Sequence, residues 1–182
     1  MKKLLLSFAT IVMIVAFSAN LMAQTSATEN TAAGAVLLTA MGITETSPLH
    51  FGSNLLTTAA GGTVELPSNS TTRVYTGGVV TSAATPAATN AAYNITGTGL
   101  ETYDITLPTS TTVTHTSVSS GVYTMTITSM LAFVASESAN AVTGTLDAAG
   151  TDSFTLGGTL NVQADQVGGI YAGTFDVTVE YN

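Results

Sequence analysis

From Phe175 to Tyr181 every second residue is apolar: Phe175, Val177, Val179 and Tyr181, with Asp176, Thr178 and Glu180 between them. Side chains of an extended chain alternate between two faces, so this run predicts a strand with one buried face and one wet face. The same rhythm marks Tyr93 to Thr96, Tyr103 to Leu107, Val122 to Leu131 and Phe154 to Val162. Thr, Val, Tyr and Phe, which fill these runs, suit a pleated, half-buried surface. Turn signals separate the runs: Gly61-Gly62, Pro67-Ser68-Asn69, Gly77-Gly78, Gly97-Thr98-Gly99, Pro108, Ser119-Ser120-Gly121, Gly150 and Gly168-Gly169. Turns spaced about 8–14 residues apart predict an antiparallel β-sandwich or barrel. Helical periodicity is absent, because the Ala-rich stretch from Ala83 to Ala92 carries Pro86 and several Thr and reads as a loop. The expected fold is therefore all-β, an antiparallel β-sandwich with almost no helix.

The first residues obey another rule. Lys2 and Lys3 precede an apolar run from Leu4 to Phe17, followed by polar Ser18 and Asn20 and the small Ala23. That is the layout of a signal peptide cleaved after Ala23. The apolar run is about 14 residues, shorter than the roughly 20 a spanning helix needs. The domain reading that follows is a signal at 1–23, a flexible segment at 24–34 and one sandwich domain at 35–182. The mature chain is expected outside the cell, reached through the periplasm of a Gram-negative bacterium, with no membrane insertion.

Charge narrows the function. Removal of the signal leaves Arg73 as the sole base against all 11 acids. Nucleic-acid binding needs a basic footprint, so it is not expected here. With no Cys in the chain, no disulfide staples the fold and no thiol serves as nucleophile. His50 reads as a strand-end residue and His115 as part of a strand, and neither belongs to a catalytic or metal-binding spacing. Glu101 and Asp104 would face opposite sides of a strand, whereas Asp176 and Glu180 share the solvent face of the last one. Asp147 and Asp152 bracket a turn that is able to wrap a hard cation with oxygen ligands, but the dense acidic spacing of a calcium loop is missing and a plain hairpin is the simpler reading. No catalytic residue, metal or cofactor is expected, and the chain does not read as an enzyme.

Two resemblances bear on these expectations. Leu49-His50-Phe51-Gly52, Tyr75-Thr76-Gly77-Gly78-Val79, Tyr93-Asn94-Ile95-Thr96-Gly97, Tyr103 to Pro108, Leu156-Gly157-Gly158-Thr159-Leu160 and Gly169 to Phe175 stand in an order that resembles the bacterial family catalogued as domain of unknown function 4402. That resemblance covers about Ala35 to Asn182 and implies a secreted β-sandwich with no stated activity. The C-terminus also resembles that of chaperone–usher pilin subunits. Tyr181 is penultimate, Gly169 is fourteenth from the end, and Phe175, Val177 and Val179 alternate between them. This second resemblance implies a sandwich of immunoglobulin-like or pilin-like type and a fimbrial or surface-fibre subunit that assembles by β-strand complementation, with self-association or a periplasmic chaperone and usher as partners. Gly169, Phe175, Val177, Val179 and Tyr181 would form the assembly strand. Val36, Leu38, Met41 and Ile43 would form either a donor strand or the first strand of a closed sandwich. The alternative function is a monomeric sandwich whose loops, such as 81–92 and 136–140, bind a glycan or a host surface.

Overall fold

A computed structural model describes residues 26–182 apart from 54 and 82–85. The predicted signal at 1–23 lies outside the described residues. Residues up to 36 and residues 37–182 form separate units. In the first unit the described residues 26–36 carry no strand and are exposed.

The second unit is built around β10 (Thr151–Val162), whose Phe154, Leu156, Leu160 and Val162 are buried while Thr155, Thr159 and Asn161 are half-buried on the other face. One edge of β10 pairs antiparallel with β7 (Thr124–Val134). The other edge has two partners laid end to end. Its first half pairs with β4 (Ala91–Thr96) and its second half with β2 (Leu55–Leu66). Gly157 marks the seam, since a Cβ there would lie 2.2 Å from the Leu66 carbonyl oxygen. On one flank β1 (Gly42–Ser47) pairs with β4 and β3 (Val74–Thr81) pairs with β2. On the other, β6 (Ser110–His115) and the short β8 (Ala139–Asn140) pair with β7, and β11 (Tyr171–Ala172) pairs with β6.

A smaller antiparallel sheet completes the architecture: β12 (Thr178–Tyr181), then β5 (Thr102–Thr106), then β9 (Thr143–Thr145). The core draws on both sheets, with Val64, Leu66, Ile95, Val134, Phe154 and Leu156 from the large one and Tyr103 and Ile105 from the small one. Full burial of each such aliphatic or aromatic side chain stabilises by about 1.5–3 kcal/mol. One polar contact ties the layers: the Tyr103 hydroxyl donates to Asp152 Oδ2 on β10 at 2.8 Å. Gly144 of β9 makes room for that ring, because a Cβ there would sit 2.5 Å from it.

The all-β sandwich expected from the alternation is the fold observed, with no helix among the described residues and about half of them in strands. Some expected turns are not turns. Gly61-Gly62 lies inside β2 and Gly77-Gly78 inside β3, where Gly62 pairs with Gly77. The register slips between Thr57 and Gly62, and Gly61 and Gly77 adopt φ of 64° and 67°. A Cβ on Gly62 would lie 2.1 Å from the Thr76 carbonyl oxygen, so these glycines serve close backbone approach at a bulge rather than chain reversal. Pro67-Ser68-Asn69, Gly97-Thr98-Gly99, Pro108, Ser119 to Gly121 and Gly150 do connect strands.

The C-terminal segment also departs from expectation. It is not one strand from Gly169 to Tyr181 but two short ones in different sheets. Tyr171 and Ala172 pair with His115 and Thr114 in the large sheet, and Thr178 to Tyr181 pair with Thr106 to Tyr103 in the small one. Residues 173–177 make the crossing. Gly173 passes so close to β6 that a Cβ would lie 2.5 Å from the Thr112 carbonyl oxygen. Alternation survives the crossing because Phe175 and Val177 still pack against the core.

Candidate assembly edge

β12 is the terminal strand of the small sheet, and β5 is its only strand partner among the described residues. The Asn182 amide donates to the Thr102 carbonyl, which fixes the phase of this antiparallel ladder. Hydrogen-bonded pairs alternate with non-bonded ones, so Thr178 and Glu180 bond to β5 while the amides and carbonyls of Val179 and Tyr181 point away from it. Side chains follow the predicted two faces. Asp176, Thr178 and Glu180 are exposed. Phe175, Val177, Val179 and Tyr181 pack on the core but are only half-buried. The edge thus combines an unpaired backbone with an apolar row left open on one side.

Tyr181 has a further task. Its hydroxyl accepts from the Thr98 amide at 2.6 Å and donates to the Thr39 carbonyl at 2.7 Å. The Thr39 amide in turn donates to Thr98 Oγ1 at 2.6 Å. Gly97 is required beside it, since a Cβ there would lie 2.4 Å from the Tyr181 oxygen. Thr39 and Thr98 are the residues that sequence reasoning missed, and the only sequence signal for them was the pair of glycines flanking Thr98.

The predicted first strand is shorter than its apolar stretch. Strand pairing begins at Gly42, so of Val36, Leu38, Met41 and Ile43 only Ile43 is in β1. Met41 packs against the core. Val36 and Leu38 belong to no strand and are 90% and 45% exposed, with Leu37 between them at 91%. Gly169 lies in the loop before β11, at φ 149°, with the His115 ring against it; a Cβ would come within 2.0 Å of Nε2. Its glycine requirement is therefore local, set by that histidine and not by the last strand.

The candidate chemical groups are occupied by their own surroundings. His50 Nδ1 accepts from the Gly52 amide at 2.8 Å. His115 Nδ1 accepts from the Ser117 and Val118 amides, and its Nε2 faces the Gly168 carbonyl at 3.1 Å. Asp147 Oδ1 accepts from the Ala149 and Thr151 amides, and its Oδ2 accepts from the Thr151 hydroxyl. Hydrogen bonds from Thr151, through its amide first and then its hydroxyl, hold the Asp147 carboxyl below the usual carboxylate range. Asp152 is engaged by Tyr103 and by the Ser153 amide, so these two carboxylates close a hairpin and a sheet contact. Among the described residues no three acidic or imidazole groups converge on one point. The Arg73 guanidinium donates from Nη1 to the Phe51 and Ser53 carbonyls and lies 5.6 Å from the Tyr75 ring centre.

No curated protein and no solved structure matches this chain. A family model does match residues 41–181, and the chain belongs to that family, described as a domain of unknown function (DUF4402).

Proposed function

We propose that this chain is a non-catalytic protein of the bacterial cell exterior, a structural subunit of a pilin-like surface fibre whose joints are sheet edges. The observation that carries this reading is the C-terminal edge: β12 is a terminal strand with outward amides at Val179 and Tyr181, and Val179 and Tyr181 continue a half-buried row begun by Phe175 and Val177 in the crossing before it. An unpaired edge backed by apolar side chains is an aggregation hazard unless something covers it, and an added strand covers both its backbone and its side chains. A periplasmic chaperone and usher would shield that edge during export. The engagement of His50, His115, Asp147 and Asp152 in local turns and in the contact between sheets supports a non-catalytic role.

The test is a denaturing gel of shed surface material, unboiled against boiled and probed for this chain. A heat-labile ladder at multiples of the monomer mass is expected. A single monomer band in both lanes would replace this reading with the solitary binding module, whose loops would then be screened against glycans. Val177→Asp places a carboxylate in the apolar row, at a cost of several kcal/mol where the site is closed by a partner strand. It should abolish the ladder, with circular dichroism confirming that the variant still folds.

A further inference from the structure

We infer that His115 is an acid-released latch at one end of the large sheet. Its ring closes two connections at once. Nδ1 accepts from the Ser117 amide at 3.0 Å and from the Val118 amide at 3.1 Å, both in the connection from β6 to β7. Nε2 lies 3.1 Å from the Gly168 carbonyl, in the loop before β11. Two N–H donors at Nδ1 require a bare lone pair there, and a carbonyl at Nε2 requires a proton there. The contacts therefore specify one form of the ring, neutral and protonated on Nε2. Gly169 crowds the Nε2 edge, where a Cβ would come within 2.0 Å, and Tyr171 meets the ring at 77° with centres 5.1 Å apart. The ring is walled in and has no room to swing to another partner.

A second proton reverses one side of this arrangement and spares the other. On Nδ1 it fills the lone pair and turns the acceptor into a donor aimed at two other donors. Ser117 and Val118 then lose their acceptor, whereas the bond from Nε2 to Gly168 survives as a charge-assisted one. No acid offsets the new charge. The groups that face the ring are Tyr171 from β11, the backbone of Gly168 and Gly169, and Tyr123, whose carbonyl accepts from the His115 amide. Asp165, the one acid of the 163–170 loop, is exposed and is not bonded to the ring. The loop before β11 keeps its other ties, because the Thr116 amide still donates to the Ile170 carbonyl and the Val167 amide to the Val122 carbonyl. Acid therefore frees the tip at 117–121, uncovers half-buried Val118 and leaves the sheet in place. Imidazole is the side chain whose ordinary titration lies between about pH 5 and 8. His50, the other histidine, receives one amide, from Gly52, and its ring bonds to no second connection.

The test is an NMR titration of this chain from about pH 8 to about pH 5, reading ring nitrogens and backbone amides together. His50→Gln assigns the two rings. At the neutral end the His115 ring should carry its proton on Nε2. As it takes the second proton, the hydrogen-exchange protection of Ser117 and Val118 should fall about tenfold, the worth of two net hydrogen bonds. The amides of β7 and β10 should keep theirs. In His115→Asn the side-chain oxygen stands where Nδ1 stood and takes no proton in this range, so protection should hold throughout. In His115→Gln a donor replaces Nε2 but no acceptor replaces Nδ1, so protection should be missing at both ends. The parent's own titration decides whether or not the variants fold. Ser117 and Val118 amides that stay protected beside a doubly protonated ring would overturn the latch. So would a ring that stays neutral until the whole sheet unfolds, or a His115→Asn chain that loses protection as the parent does.

Discussion

Replacing Tyr103 with Phe removes one oxygen from the contact between the two sheets and leaves the ring in place. Tyr103 is fully buried, and its hydroxyl donates to Asp152 Oδ2 at 2.8 Å. A hydrogen bond to a charged acceptor contributes about 1.5–3 kcal/mol net. Asp152 is itself only half-buried, so water can replace part of the lost bond and the low end, about 1.5–2 kcal/mol, applies. With a urea slope of about 1–3 kcal/mol per molar, the midpoint of unfolding should fall by about 1 M. Urea titration followed by far-UV circular dichroism reads this directly. A shift under about 0.2 M with an unchanged slope would refute the claim that this bond clamps the layers. The same residue predicts alkaline behaviour. Burial, followed by the neighbouring Asp152 carboxylate, raises the Tyr103 pKa above its ordinary 10.0. The unfolded chain therefore loses this proton before the folded one does. Stability from this group is complete below pH 10.0 and falls as pH rises above it. Tyr103→Phe should flatten part of that alkaline decline. Because β5 is the sole strand partner of β12 among the described residues, weakening Tyr103 should also loosen the assembly edge.

Gly169→Ala should destabilise by about 1–3 kcal/mol through a strained backbone and contact with the His115 ring, measured as a lowered melting temperature. His115→Ala in the same chain should recover part of that loss, and no recovery would refute the local account of Gly169. Asp147 has a carboxyl pKa held below its ordinary 3.8, so its contribution is present above that pH and is lost as acid titrates the folded carboxylate. Thermal melts of Asp147→Asn should therefore converge with those of the parent chain toward strong acid. Trypsin has one site after the predicted signal, Arg73, whose guanidinium is held by the Phe51 and Ser53 carbonyls. The native chain should resist cleavage and yield two fragments once urea unfolds it; rapid nicking of the native chain would show that this corner opens locally.

Much of the fold was legible because strand formation is written in nearest and next-nearest neighbours. The alternating runs at Tyr93, Tyr103, Val122 and Phe154 fall in or overlap β4, β5, β7 and β10. What alternation does not encode is which strand lies beside which. Gly157-Gly158 looks like any flexible pair in sequence, yet it marks the point where β10 exchanges β4 for β2 as its neighbour. Gly61-Gly62 and Gly77-Gly78 look like turns, because the signal for close backbone approach and the signal for chain reversal are the same residue. The faces of the C-terminal strand were readable, whereas its division between two sheets was not.

The sequence by itself determined an all-β chain, two faces for each strand, a body with few charges that are nearly all acidic, and a tail whose apolar residues turn inward. These follow from side-chain chemistry and a period of two, and both act locally. Only the tertiary structure decided that β12 is an edge, that Val36 to Leu38 lies outside the sheets, that Gly169 answers to His115, and that Tyr103 reaches Asp152. The last two join residues far apart in the chain, the first two record which segments find no such partner, and all four are set by how whole sheets pack.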